Sequence, residues 1–392
     1  MGNIMDYLTW RGDLSFRLVP FCDVDSLILS FLSYVNFRDI LSQREQEKEV
    51  PLEEACRLFF EKYTKEEVMS QVLSIKMAAF VMEKMVSTER FGTLRLSHYI
   101  DRVDEEMEKQ FAALTIHLPD GTNYVSFRGT DDSIVGWKED FNMCFKTPVP
   151  AQEDAVAYLK KTAAYTDGAL MVGGHSKGGN LAVYASVYAG DAVQKRIARV
   201  YNHDGPGFHD DMLKMQKYRT IRSRITTIIP ESSIVGMLLE HEEEYKVVKS
   251  SASGLLQHDA LSWEIEGPDF VYVQERSRES RIVDHTLHSW IYNMEPSKRE
   301  EFVDALFGIL KESEVISLND LREEGKWKKM SEVFRVMGNM SPETKEMIGS
   351  TVRQLFHEAN QTFRDAVKEH RRIVPPEVQS EIFTSDSIND KI

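Results

Sequence analysis

The sequence has little cysteine, no long apolar run and no excess of basic residues. Its three cysteines, Cys22, Cys56 and Cys144, lie far apart and fit neither a disulfide framework nor a zinc-ligand pattern. No stretch approaches the roughly 20 apolar residues that span a bilayer. The N-terminus also lacks a basic start followed by a long apolar core. We therefore expect reduced thiols, no transmembrane segment and a cytoplasmic protein.

Acidic residues outnumber basic ones. The 392-residue chain has 63 Asp and Glu against 48 Lys and Arg, a formal net charge of -15. Nucleic-acid binding needs basic contacts that displace counterions from phosphates, so nucleic acid is not an expected partner. With 42% hydrophobic and 28% charged residues, the composition is that of a globular protein. The length suits one large domain with an appendage, or two domains.

The periodicity of apolar residues divides the chain into three parts. Helical spacing over residues 23–37, 52–63 and 64–86 predicts a helical N-terminal segment, residues 1–90, which we interpret as packing on the core. Short β-rich runs alternate with helical stretches over residues 91–275, which specifies a mainly parallel sheet with helices on both faces, an α/β fold. Amphipathic helices are predicted for residues 276–392, as a cap or interaction region.

One run in the middle part carries a chemical signal. Gly-His-Ser-Lys-Gly at residues 174–178 fits G-x-S-x-G, in which a tight turn from strand to helix exposes the serine hydroxyl. The motif alone is weak, since it also describes a glycine-rich structural turn. Here an apolar run, residues 169–172, leads in and an alanine-rich helical run leads out. We therefore predict an α/β-hydrolase fold with Ser176 as an activated nucleophile.

A serine nucleophile also needs two backbone donors for the oxyanion that develops on its substrate. The residue after the nucleophile supplies one, here the amide of Lys177. The second is expected from a loop that follows an earlier strand. The run Val-Ser-Phe-Arg-Gly-Thr-Asp, residues 125–131, ends a β-rich segment, which makes Thr130 the candidate.

Two sets of residues resemble known families. Phe-Arg-Gly-Thr at residues 127–130, followed by Trp137 and Asp140, resembles the F-R-G-[ST]…W…D signature of class 3, fungal-type lipases, in which the Ser or Thr is an oxyanion donor. Residues 3–13 and the run Tyr-Asn-His-Asp-Gly-Pro-Gly-Phe at residues 201–208 resemble the bacterial Mbeg1-like group of lipase-like α/β-hydrolase proteins more closely. The class 3 resemblance, taken with the serine run, covers roughly residues 95–265 and implies a serine esterase. The expected reaction requires no cofactor and no metal.

The general base is predicted to be His258. In α/β hydrolases the chain order is Ser, acid, His, which points to a late histidine among the 11 in the chain. His258 precedes the final β-rich run, and Trp263 follows it by five residues, which resembles the lipase family's pattern. His285 and His288 lie on a helical pattern and are interpreted as surface residues.

The acid has two candidates. The class 3 pattern expects Asp-Ile-Val after a strand, whereas residues 233–235 are Ser-Ile-Val. Glu231, two residues before that position, is one replacement. Asp204, preferred here, resembles the acid of the Asp-Pro-Ala-Gly-Pro run in pancreatic-type lipases, although Asp-Gly-Pro is also ordinary turn chemistry.

Other charged features are interpreted as solvated. The acidic run at residues 101–108 and Glu-His-Glu-Glu-Glu at residues 240–244 show no ordered metal-ligand spacing. The Lys177 side chain is expected to be solvated or to attract an anionic substrate. His175 is expected to contact substrate or to fill space at the turn.

These residues predict cleavage of a small-molecule acyl ester or a lipid-like substrate through an acyl-enzyme on Ser176, with the oligomeric state left open. The same side chains would serve a thioesterase, a peptidase or an acyltransferase. An alternative function of a different class is a catalytically silent hydrolase fold used for binding or regulation. The absent Asp of Asp-Ile-Val and the helical C-terminal part support this alternative.

Overall fold

The computed structural model describes residues 1–41, 48–71, 73–104, 106–107, 109–130, 134–143 and 146–276, together with residues 342 and 346. Almost all of the C-terminal part predicted over residues 276–392 lies outside the described residues. The same is true of Cys144, His285, His288 and the side chain of Trp137.

The described residues alternate between helices and short strands. The helices are α1 Ile4–Arg11, α2 Asp23–Leu32, α3 Leu52–Lys62, α4 Lys65–Met69, α5 Leu73–Val86, α6 Ile134–Met143, α7 Pro150–Tyr165, α8 Lys177–Tyr188, α9 Asp191–Arg196, α10 Asp210–Leu213 and α11 Gln216–Arg222. The strands are β1 Val50–Pro51, β2 Arg95–Asp104, β3 Lys109–His117, β4 Asn123–Phe127, β5 Leu170–His175, β6 Ile197–His203, β7 Ile225–Pro230, β8 Tyr245–Val248, β9 Ile265–Glu266, β10 Asp269–Phe270 and β11 Tyr272–Val273.

One large sheet organises the fold. Within the described ranges it has nine strands in the order β1-β2-β3-β4-β5-β6-β7-β8-β11. The pairs from β4 to β8 are parallel. Helices α6 to α11 separate the strands from β4 to β7 and carry the chain back across the sheet, as parallel pairing requires. Antiparallel strands flank this centre on both sides. The predicted α/β class, with a parallel centre, is confirmed.

Helices cover both faces of the sheet. Helices α1, α2, α3 and α5 share one apolar core with Leu114 and Tyr124, whereas α7, α8 and α11 share the other with Val125. Adjacent residues of a strand point to opposite faces, which is why the neighbours Tyr124 and Val125 belong to different cores. The predicted helices at both faces are therefore present.

Polar contacts join the N-terminal helices to the rest of the chain. The Arg90 guanidinium forms two hydrogen bonds with Asp25 of α2, Nε to Oδ1 at 2.8 Å and Nη2 to Oδ2 at 2.5 Å, and this pair is buried. Gly2 exchanges backbone hydrogen bonds with Ile265.

In the part of the chain that is described, no helix has both the length and the apolar character that a membrane crossing needs.

Candidate active site

Ser176 stands in a tight turn between β5 and α8. Its backbone has φ 59° and ψ -133°, a strained conformation for a residue other than glycine. A Cβ at Gly174 would overlap the backbone of Gly178, and a Cβ at Gly178 would overlap the carbonyl of Phe127 in β4. The two glycines of the motif are therefore needed because the helix starts against the strands, which leaves the serine at the end of the sheet.

Three side chains form a continuous hydrogen-bonded chain at this point. His258 Nε2 lies 2.9 Å from Ser176 Oγ, and His258 Nδ1 lies 2.6 Å from Asp204 Oδ2. Asp204 is fully buried, whereas the His258 side chain is 22% exposed. A carboxylate only accepts, so Nδ1–H donates to Asp204 and Nε2 is left as the acceptor for the serine hydroxyl.

The carboxylate of Asp204 is held from a second side. Asp204 follows β6 with φ 53°, and its backbone N–H donates to Ile228 of β7. The Ser233 hydroxyl donates to the other carboxylate oxygen, Oδ1, at 2.5 Å. Ser233 occupies the place where the class 3 pattern expects the acid. In this chain the residue at that position, Ser233, donates a hydrogen bond to Asp204, which follows the neighbouring strand β6.

Glu231, the other candidate acid, lies elsewhere. Its backbone N–H donates to Val248, and the charged groups near its carboxylate are Lys249 and Glu264. Partial burial raises the pKa of Glu231 above its usual value. Within the described part of the chain no hydrogen bond joins Glu231 to His258, so Asp204 is the carboxylate that the fold brings to the imidazole.

The loop that carries Thr130 packs directly on the serine turn. A Cβ at Gly129 would lie 2.6 Å from the carbonyl oxygen of His175 and 3.1 Å from Ser176 Cβ.

Arg128 is fixed by a buried ion pair with Asp101, Nη2 to Oδ1 at 2.9 Å. The prediction that the acidic run at residues 101–108 is solvated was therefore wrong for Asp101, because its partner comes from the loop after β4, 27 residues away.

The side chain of Lys177 is buried, contrary to the predicted solvated position. Its Nζ donates to Glu139 Oε2 at 2.9 Å and to the carbonyl of Gln110 at 3.0 Å. As the first residue of α8, Lys177 has a backbone N–H without an acceptor inside the helix. The side chain thus points into the protein, and the amide remains the candidate oxyanion donor.

His175 links the turn at Ser176 to the loop that contains His258. Its Nε2 lies 2.8 Å from the carbonyl oxygen of His258 and must donate, so Nδ1 accepts from the Tyr34 hydroxyl at 3.2 Å. Burial lowers the pKa of His175 well below its usual value, which keeps the ring neutral beside His258. Contact with substrate or simple filling of space had been expected. The ring is instead a hydrogen-bonded link.

A buried ion pair also lies near the acid. His241 Nδ1 is 2.9 Å from Glu243 Oε1, and both side chains are 2% exposed, so the prediction that residues 240–244 are solvated was wrong for these two. The contacts from His241, Thr227 and Tyr218 lower the pKa of Glu243 to about 2 despite its burial. Among the described residues, no group of three or more His, Cys, Asp or Glu side chains is arranged to hold a metal ion.

Sequence reasoning missed several residues that support this site. Ser233 was noticed only as the replacement of an expected Asp. Glu139 and Tyr34 carried no signal, because they come from elements that are remote in sequence from Ser176. The only hint of Glu139 is the lysine of the Gly-His-Ser-Lys-Gly run, since a buried lysine needs an anionic partner.

Comparison with known proteins identifies a family. A family model described as Mbeg1-like matches residues 85–308, more than half of the chain. Among solved structures, the native propeptide complex of Rhizomucor miehei lipase is 19% identical, with a TM-score of 0.31, over 40% of this chain and 57% of that one. The M37 lipase is 13% identical, with a TM-score of 0.37, over 70% of this chain and 80% of that one.

The chain thus spans little more than half the length of the Rhizomucor miehei structure. No curated protein matches it. The segment matched by the family model contains Ser176, Asp204 and His258, and on that match the chain belongs to the Mbeg1-like family.

Proposed function

We propose that this protein is a serine hydrolase that cleaves the acyl ester of a small molecule or lipid through an acyl-enzyme on Ser176. The observation that carries the proposal is the chain of hydrogen bonds from Ser176 through His258 to Asp204, at 2.9 and 2.6 Å. Both distances are within the range in which a base takes a proton from a nucleophile.

In the first half of the reaction, His258 Nε2 takes the hydroxyl proton while Ser176 Oγ attacks the ester carbonyl carbon. The buried carboxylate of Asp204 accepts from Nδ1–H and stabilises the imidazolium that results. His258 then gives the proton to the departing alkoxide, which leaves as the alcohol. In the second half, His258 takes a proton from a water molecule whose oxygen attacks the acyl carbonyl carbon. The bond from that carbon to Ser176 Oγ then breaks, Oγ recovers the proton from His258, and the carboxylic acid product is released.

The negative charge on the tetrahedral oxygen would be stabilised by the backbone amides of Thr130 and Lys177. Lys177 begins α8, so its amide also lies at the positive end of a helix dipole. The close packing of Gly129 on Ser176 supports this assignment, because it keeps the Thr130 loop beside the nucleophile. Removal of one such donor costs about 10²- to 10³-fold in kcat in enzymes of this type.

An ester is the proposed substrate because the Phe-Arg-Gly-Thr and Gly-His-Ser-Lys-Gly runs resemble those of class 3 lipases. A thioester, an amide or transfer to an acceptor other than water would use the same three side chains. Oxoester, thioester and anilide substrates with the same acyl group would rank these reactions. We expect the highest kcat/KM for the oxoester.

The primary test is labelling of the folded, full-length protein by a fluorophosphonate probe, with the modified peptide mapped by mass spectrometry. We expect one adduct on Ser176 in the wild type and none in Ser176→Ala. Hydrolysis of p-nitrophenyl butyrate should disappear in the same variant. A folded wild-type protein that forms no adduct on Ser176 would overturn the proposal and favour a catalytically silent fold.

A further inference from the structure

The side chain of Lys177, one of the two proposed oxyanion residues, forms a buried ion pair that has no part in the proposed reaction. Lys177 and Glu139 are 0% and 1% exposed, with Nζ and Oε2 2.9 Å apart. Lysine and glutamate are rarely buried to this degree, because the loss of hydration costs more than an ordinary contact returns. Such a pair next to the nucleophile therefore calls for a specific reason.

Glu139 joins several elements at one carboxylate. Its Oε2 accepts from Lys177 Nζ and, at 3.1 Å, from the backbone N–H of Gln110 in β3. Its Oε1 accepts from the backbone N–H of Ala151 in α7 at 3.1 Å. The carboxylate thus holds α6, on which it stands, against the sheet, α7 and the residue that follows Ser176.

The next residue of α6 holds the other oxyanion residue. Asp140 Oδ2 accepts from the Thr130 hydroxyl at 2.6 Å, and Asp140 Oδ1 lies 4.0 Å from Lys177 Nζ. A continuous set of polar contacts therefore connects the two residues. It passes from Lys177, next to Ser176, to Glu139 and from the adjacent Asp140 to Thr130. It joins the loop after β4 to the turn after β5.

The charges support the same arrangement. Burial raises the pKa of Asp140 to about 6, and the Lys177 ammonium is the strongest opposing influence. A lysine at this position therefore favours the carboxylate form of Asp140, which accepts from Thr130. A neutral side chain at residue 177 would take the ammonium away from the buried Glu139 carboxylate and would remove the largest influence that lowers the pKa of Asp140.

We propose that the Lys177–Glu139 ion pair is a positioning device for the oxyanion hole, which fixes the Thr130 loop relative to the amide of Lys177 and the hydroxyl of Ser176. The inference rests on the proposed function. Neither side chain is assigned contact with the substrate: both act through the backbone positions that they hold. Removal of the pair should therefore lower the rate of the chemical step, and substrate binding in the ground state should be unchanged.

The test removes both charges in the variant Lys177→Met/Glu139→Gln, which leaves no unpaired buried charge from this pair. Neutral replacement of a buried pair is often compatible with a stable fold. We expect kcat for p-nitrophenyl butyrate to fall about 10²-fold, because small misplacement of an oxyanion donor has effects of this size. KM should stay within about two-fold, and phosphonylation of Ser176 should slow in proportion to kcat.

The matched control is Arg90→Met/Asp25→Asn, which removes another ion pair whose side chains are 1% and 0% exposed. We expect its kcat to stay within about three-fold of the wild type. Glu139→Gln alone, an isosteric change, is the second test variant if the double variant fails to fold.

Three results would overturn the inference. In the first, the folded double variant, or Glu139→Gln in its place, keeps the kcat and the labelling rate of the wild type. A rise in KM at unchanged kcat counts as the same result. In the second, the control loses as much kcat as the test variant. Both leave the wild-type label on Ser176, and with it the proposed function, intact. In the third, a wild-type protein without that label removes the proposed function and the inference together.

Discussion

At the residue scale, Ser176 and Asp204 leave the sheet in the same way. The residues before them, His175 and His203, are register partners in the parallel pair β5 and β6. Each strand then ends in a residue with positive φ, 59° at Ser176 and 53° at Asp204. Both side chains therefore reach the same end of the sheet on neighbouring strands, and His258 bridges them from a later loop.

This geometry predicts which carboxylate matters for turnover. Asp204→Asn should lower kcat by about 10³- to 10⁴-fold, because an amide in place of the carboxylate no longer fixes the tautomer of His258 or stabilises its imidazolium. The same isosteric change at the other candidate, Glu231→Gln, should leave kcat within a few-fold of the wild type. Steady-state hydrolysis of p-nitrophenyl butyrate by both folded variants gives the comparison. The reverse ranking would make Glu231 the acid.

At the element scale, α2 and the turn after it support the two strands that carry the serine and the acid. Ser26 donates its hydroxyl to the carbonyl of Asp23, so His203 Nε2 must donate to Ser26 Oγ, 2.8 Å away. Tyr34, two residues beyond α2, donates to His175. The N-terminal segment was interpreted as packing alone, and its polar residues also hold the histidines that precede Ser176 and Asp204.

Loss of one of these hydrogen bonds should be measurable. Tyr34→Phe leaves Nδ1 of His175 as a buried acceptor without this donor, which costs about 1–3 kcal/mol of unfolding free energy. We also expect kcat to fall several-fold, because His175 holds the backbone of His258. Urea unfolding and steady-state kinetics measure the two effects. The same change at the exposed Tyr165 is the control, and equal losses in both variants would contradict the role given to Tyr34.

At the scale of the whole molecule, the fold buries three histidines, His98, His175 and His203, in their neutral form. Burial lowers the pKa of His98 to about 4 and that of His203 to about 3, and it lowers the pKa of His175 as well. Such residues bind protons more readily in the unfolded chain than in the folded one. The contribution of these three histidines to stability should therefore rise with pH between their folded and unfolded pKa values, and fall as the solution is acidified.

His203 offers the sharpest test of this dependence. Its folded pKa of about 3 lies below the usual 6.5, so its contribution is intact above pH 6.5 and is lost as the pH falls toward 3. Between pH 7 and pH 5 the loss should be about 2 kcal/mol. His203→Gln, which keeps a donor for Ser26, should have a pH dependence shallower by that amount in urea unfolding. Parallel curves for the two proteins would refute the assignment.

The sequence by itself determined the class of the fold and the turn that carries Ser176, the proposed nucleophile. Alternation of strand and helix periodicity predicted the parallel centre of the sheet, because both periodicities are local properties of the chain. The Gly-His-Ser-Lys-Gly run predicted the turn at Ser176 for a similar reason, since its glycines are required by the approach of one adjacent helix to one adjacent strand. Chain order and the spacing to Trp263 predicted His258 as the base, and the fold brings its Nε2 to within 2.9 Å of Ser176 Oγ.

Only the tertiary structure decided which charged residues are partners. Asp204 and Glu231 each follow a strand, and the sequence gives no distance from either to His258. Asp101, Lys177 and His241 were expected in solvent because their own segments are polar. Asp101 and Lys177 are buried with partners from elsewhere in the fold, Arg128 from the loop after β4 and Glu139 from α6. His241 pairs with Glu243 of its own segment, and Tyr218 and Thr227 from distant elements donate to the Glu243 carboxylate. The free energy of a buried charge depends on that partner, which only folding brings into contact.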